Sequence, residues 1–184
     1  MDIIRPVTAA ATAILAVSVC ASTWADDHEL AGCYIPVRGF ATSACTDGEA
    51  CTSQSGVFKI VLKNQQATYG QRSLMISGTF EGLITTMPND CGAADAQHVL
   101  TDRDGESTIS TGPDVACFTG GGDFVNNVEI TETLRITGGT GAYANLIPGG
   151  TVTLTGRLGL TTGINRFRVT PLPGDELCFH EPDQ

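Results

Sequence analysis

The chain has 184 residues, 20 acidic against 10 basic side chains, 22 glycines and seven cysteines. A formal charge of −10 with no clustered Lys or Arg excludes a typical nucleic-acid binder, because phosphate contacts need concentrated positive charge. Hydrophobic content of 41% is enough for a packed core, and the length suits one domain.

Met1 to Ala25 reads as a secretory signal. Arg5 gives a weakly positive start, and Val7 to Ala21 is an uncharged run of small and apolar residues, too short and too polar to span a bilayer. Thr23-Trp24-Ala25 offers small residues where a signal peptidase reads, which predicts cleavage after Ala25 and a single domain over 26–184. The competing reading is a lipidated Cys20, which Val19 directly before it fits poorly. Export predicts a secreted or periplasmic protein. Cleavage removes Cys20 and the only tryptophan, Trp24, leaving six cysteines, which an oxidising compartment turns into three disulfides. Six cysteines allow 15 connectivities. The expected set is Cys33–Cys178, tying the termini, Cys45–Cys51 across a short loop, and Cys91–Cys117. With no CxxC and with His28, His98 and His180 scattered, no metal centre is expected.

The dominant period is two. In chain order, Phe58, Ile60 and Leu62 form a short apolar stripe, and Leu74, Ile76, Phe80 and Ile84 form a longer one with Gly78 and Gly82 in it. Asp104-Gly105 marks a tight turn, and Gly120 to Asp123 a loop. Val128, Ile130, Leu134 and Ile136 alternate with Glu129, Thr131, Thr133 and Arg135. Gly138 to Gly141 and Pro148-Gly149-Gly150 then punctuate the chain. Val152, Leu154, Leu158 and Leu160 alternate with threonines and Arg157, and Asn165, Phe167 and Val169 close the series after Thr162-Gly163. No window of a dozen residues shows a capped helical stripe. The prediction is an all-β, antiparallel, eight-stranded barrel stabilised by disulfides, since so many strands must close or stack to protect their edges.

LRITGGTGAYA, Leu134 to Ala144, imitates the glycine loop of a dinucleotide-binding fold. That loop requires a helix to follow, and Pro148-Gly149-Gly150 prevents one. No cofactor is expected. The wider stretch ITGGTGAYANLIPGGTVTLTGRLGLTTG, Ile136 to Gly163, instead resembles the hairpin of allene-oxide-cyclase-like and dirigent-like barrels. LMISGTFEG, Leu74 to Gly82, and HVLTDRDGESTIST, His98 to Thr111, are similar to other parts of that group. Tyr143 stands where the group often has Phe, and Asn145-Leu146-Ile147-Pro148 departs from its usual pattern. The resemblance implies an eight-stranded barrel, often a homo-oligomer, that holds a hydrophobic ligand and can steer cyclisation without a cofactor. It transfers no catalytic residue.

Among the side chains, Glu132 stands out. Strand parity puts it on the apolar face of Val128, Ile130, Leu134 and Ile136, where desolvation would raise its pKa and suit it to acid–base work. The more ordinary alternative is a local bulge that returns it to solvent or to a partner. Phe80, Phe167, Tyr143 and Asn165 are candidate ligand contacts, although tyrosines commonly pack in cores and the turn at Gly163 also accounts for Asn165. His98, at a strand start, reads as a surface residue with proton carriage as the alternative. Asp102 to Glu106 resembles a fragment of a calcium loop but lacks its further ligands, and a hairpin turn explains it. The expectation is a barrel that binds a small apolar molecule, as a cofactor-independent cyclase or isomerase. The alternative is a non-catalytic secreted scaffold presenting 120–125 and 144–150.

Overall fold

The structure is a computed structural model that describes residues 30–48, 51–66, 73–86, 91–118, 128–159 and 162–181. The segment read as a signal, His28, the loop at 120–125 and Leu160 lie outside these residues.

The alternating stripes become antiparallel strands: β1 (Gly32–Cys45), β2 (Ser53–Asn64), β3 (Ser73–Thr86), β4 (Cys91–Asp102), β5 (Thr108–Thr111), β6 (Asp114–Phe118), β7 (Val128–Gly139), β8 (Thr151–Leu158), β9 (Ile164–Val169) and β10 (Leu177–Phe179). Along most of the sheet, strands adjacent in sequence pair with each other, and β9 returns to β1, with Phe40 opposite Arg168 and Ala44 opposite Ile164. The ladder is therefore a ring, which leaves no long free edge among these strands. Two of its places are shared. Both β5 and β6 lie between β4 and β7, with Gly112-Pro113 separating them. The last strand, β10, pairs with the start of β1, while β9 pairs with the end of it. Counted this way the barrel has eight places, as the alternation predicts.

Inside, alternate residues of the strands meet in one core that includes Phe58, Ile60, Ile76, Phe80, Leu100, Leu134, Leu154 and Phe167. Tyr34 and Phe179 pack edge to face at 5.8 Å where β10 joins β1. Three disulfides join Cys33 to Cys178, Cys45 to Cys51 and Cys91 to Cys117. The first closes a separation of 145 residues. Long loops lose most unfolded-state entropy on cross-linking, so this bond is the one expected to stabilise most. Such bonds are compatible with an oxidising compartment. No helix among the described residues is long and apolar enough to cross a membrane.

The glycine-rich segment after β7 forms a single turn of 3-10 helix, Gly141–Tyr143, and then runs into β8. Asp102 to Glu106 is a hairpin turn, with Gly105 in the left-handed region (φ 77°) and its amide donating to the Asp102 carbonyl at 3.1 Å.

Candidate functional site

Most of the lumen is apolar, but one layer is not. Ser43 from β1, Gln54 from β2, His98 from β4, Asp114 from β6, Glu132 from β7 and Asn165 from β9 are all buried. The ladder sets Gln54 and His98 level, since both pair with Gly82 of β3, and Glu132 pairs with Ala116 of β6 and Leu154 of β8. A glycine is required at 82. A Cβ there would stand 2.7 Å from His98 Cδ2 and 3.0 Å from Gln54 Cγ, inside normal contact. The missing side chain lets Gln54 and His98 reach each other across the strand.

Two backbone amides orient the whole chain of contacts. The Gly159 amide donates to Asn165 Oδ1 at 3.1 Å, which turns the Asn165 NH2 inward. That group donates to Ser43 Oγ and to Gln54 Oε1, each at 3.1 Å, and Ser43 Oγ donates to the same Gln54 oxygen at 2.6 Å. With its oxygen thus committed, Gln54 presents Nε2 to His98 Nε2, 3.4 Å away. The imidazole must therefore accept at Nε2 and carry its proton on Nδ1, a tautomer assigned from this network. Nδ1 lies 3.2 Å from Asp114 Oδ2. At the far end the Arg135 amide donates to Asp114 Oδ1 at 2.9 Å. Asp114 sits just after the break at Gly112-Pro113, where its side chain supplies the acceptor that the interrupted ladder lacks. His98 is further held by its own amide, which donates to Thr111 Oγ1 at 3.1 Å.

Glu132 differs from all of these. It is 7% exposed, and its carboxyl accepts no hydrogen bond from any described residue. It faces a small cavity lined by Phe40, Phe58, Phe80, Leu154 and Phe167 on the apolar side, with Gln54 and His98 as the other polar groups. The cavity volume is about 30 Å³, room for roughly two or three water molecules. Phe40, half exposed, stands at its edge.

Burial pushes the Glu132 carboxyl above its ordinary value. The His98 charge opposes that shift and the Asp114 charge adds to it. For His98, burial alone would lower the pKa, but the hydrogen bond to Asp114 and the negative charges of Glu132 and Asp114 outweigh it, and the net direction is up. Glu132 therefore holds its proton at a pH where an exposed glutamate would have released it.

The sequence-based expectations fare unevenly. Glu132 is on the lumen face, as parity places it, and no bulge returns it to solvent. Phe80 and Phe167 line the cavity. Asn165 is buried but spends its amide on Ser43, Gln54 and Gly159, outside the cavity lining. Tyr143 is also outside that lining. It packs beside Gly139, and burial together with the Asp102 charge pushes its hydroxyl up to about 12. His98 requires a correction, being 5% exposed and central rather than a surface residue. The expectation of no metal centre rests on histidine and cysteine spacing, which does not register a His, Asp and Glu drawn from three strands. One ligand atom each from His98, Asp114 and Glu132 lie within 4.8 Å of one another. Asp114 and Gln54 are absent from the expected site altogether. The signal for Asp114 is a lone carboxylate after Gly-Pro, which reads as a turn. No protein-family model, curated protein or solved structure matches this chain.

Proposed function

We propose that this barrel binds a small, largely apolar molecule in its lumen and moves a proton on it, acting as a cofactor-independent isomerase or cyclase of an exported kind. The observation that carries this reading is Glu132: a buried carboxyl without a hydrogen-bond partner among the described residues, facing an apolar cavity beside an oriented His98–Asp114 pair. Packing usually removes or pairs such a group, because an unpaired buried carboxyl costs stability, and retained ones belong to sites where the proton is used. Glu132, kept protonated by burial, donates to an oxygen or unsaturated carbon of the ligand. His98 accepts the proton released elsewhere on the ligand, and Asp114 stabilises the imidazolium that results. The apolar walls hold one conformer in place, which lowers the entropic part of the barrier. The resemblance to allene-oxide-cyclase-like and dirigent-like barrels supports the same chemistry, as does the closed antiparallel ring.

The test uses acetone, the smallest ketone, as the probe, in heavy water and with metal removed. Deuterium should enter the α-carbon, and Glu132→Gln should slow this by about 100- to 10,000-fold, the usual worth of a positioned acid or base. Binding by Glu132→Gln with exchange unchanged would overturn the role given to Glu132. Failure of any small apolar probe to perturb the lumen resonances would overturn the binding reading.

A second reading has its own observation. Val57, Leu83, Val99 and Val115 are exposed on the outer wall. A non-catalytic scaffold would use such residues, with 144–150, to meet a partner, and would keep its binding when Glu132 is replaced.

A further inference from the structure

The three side chains that converge in the lumen have a donor set no single segment reveals. His98 offers a nitrogen, and Asp114 and Glu132 one carboxylate oxygen each, from β4, β6 and β7. We propose that these three residues bind one divalent transition-metal ion, zinc in the first instance, with a coordination position left open toward the apolar cavity.

Distance supports this first. His98 Nδ1 and Asp114 Oδ2 are 3.2 Å apart. Ligands about 2.0 Å from a tetrahedral zinc are separated by about 3.3 Å, so the pair already spans one edge of such a tetrahedron. Binding at Nδ1 moves the imidazole proton to Nε2, so the Gln54 amide turns over to face it with its oxygen, while the Arg135 amide on Asp114 Oδ1 and the Thr111 hydroxyl on the His98 amide stay in place. The third ligand lies within 4.8 Å of the others and closes the set by rotation about its own side-chain bonds. Nothing competes for it, because Glu132 makes no hydrogen bond among the described residues.

Charge supports it next. Two ionised carboxylates and a neutral imidazole carry −2 in a setting where an uncompensated charge is costly. A divalent cation cancels that charge. The alternative is to take up protons. Cation and protons thus compete for the same atoms.

Chemistry selects the class of metal. One nitrogen and two oxygens with a small, largely apolar surround suit zinc or a neighbouring transition ion better than calcium, which takes six to eight oxygens. Three protein ligands and an open position are the pattern of a zinc site that accepts water or a ligand oxygen. The Cys33, Cys178 and Glu176 group is not a rival, since its two sulfurs are joined.

Metal binding does not depend on the proton-transfer reading, and it has a consequence for it. A loaded cation removes the proton from Glu132 and His98, so metal occupancy switches metal-independent exchange off.

The experiment is calorimetric titration of the oxidised protein, first stripped with a chelator, with zinc chloride, and absorption spectroscopy with cobalt(II) as a second probe. One ion per chain should bind, and cobalt should give the strong visible bands of a tetrahedral site. Glu132→Gln and His98→Gln should each weaken binding by about tenfold or more. Glu132→Gln is the deciding variant, because Glu132 makes no hydrogen bond among the described residues whose loss could unfold the chain. His180→Ala, which alters an exposed histidine, should leave binding unchanged. No saturable binding to the wild type, or equal binding by Glu132→Gln, overturns the site. Ketone exchange measured in chelator then stands or falls separately. Loss of exchange with zinc binding intact removes the catalytic reading alone, and loss of zinc binding with exchange intact removes the metal site alone.

Discussion

Two carboxylates are buried in this barrel in opposite ways. Asp175, in the segment between β9 and β10, is 5% exposed. It accepts from Thr151 Oγ1 at 2.8 Å, Thr153 Oγ1 at 3.2 Å, the Thr153 amide at 3.1 Å and the Leu172 amide at 2.9 Å. Thr151 and Thr153 alternate with Val152 and Leu154, and Leu154 lines the cavity, so this cluster lies in the wall on the side away from the lumen. Glu132 is about as buried but receives no hydrogen bond from a described residue. Asp175 is a fastener whose every bond helps the C-terminal segment close the barrel. Glu132 contributes nothing of that kind, and its presence at the lumen face needs another reason. Burial alone marks neither role; hydrogen bonding separates them.

Matched substitutions sharpen this contrast. Asp175→Leu should strand the Thr153 and Leu172 amides without acceptors and destabilise by about 3 kcal/mol or more in chemical denaturation. Glu132→Leu should be neutral or stabilising, since a buried unpaired acid is replaced by an apolar group that fits the lumen. Equal losses from the two changes would break the comparison.

The glycine that opens the layer is the next test. Gly82→Ala puts a Cβ against His98 Cδ2 and Gln54 Cγ, and overpacking of this kind costs roughly 1–3 kcal/mol. It should also alter the His98 imidazole resonances in NMR spectra. A variant as stable as wild type with unmoved His98 signals would show that the contact is not tight.

A smaller effect is expected from pH. Glu132 and His98 both bind protons more tightly folded than unfolded. The stabilisation from the glutamate proton is complete below its ordinary pKa of 4.5 and fades as pH rises through the folded value. That from the histidine proton is complete below 6.5 and fades in the same direction. Wild type should therefore lose ground to Glu132→Gln as pH is raised from about 5 to about 8. A gap independent of pH would contradict a raised Glu132 pKa.

Most of the wall is readable from alternation alone. Strands β2, β3, β7, β8 and β9 carry large apolar residues at most alternate positions, and the expected turns at Asp104-Gly105, Pro148-Gly149-Gly150 and Thr162-Gly163 fall between strands, whereas Gly138 and Gly139 belong to the end of β7. In the polar layer the signal is weaker for physical reasons. The lumen residues of β4 are Ala94, Ala96, His98 and Leu100, and alanines give almost no periodic contrast, so nothing in that stretch turns His98 inward. Asp114 follows Gly112-Pro113, whose ordinary meaning is a turn, and only the shared place of β5 and β6 reveals it as a wall residue. Glu132 could be placed by parity because its neighbours Ile130 and Leu134 are large and apolar. What alternation could not supply is convergence, since residues 98, 114 and 132 meet only when the ring closes.

The most direct test of the account is the titration of Glu132 itself. In chelated, metal-free protein labelled with carbon-13 at glutamate carboxyls, the signal lost in Glu132→Gln identifies this residue, and its shift can be followed with pH. A midpoint clearly above the ordinary 4.5 is expected, because burial disfavours the charged carboxylate. A midpoint at or below 4.5 would mean that Glu132 is hydrated or paired in solution, and would contradict the claim that it waits, unpartnered, in an apolar lumen.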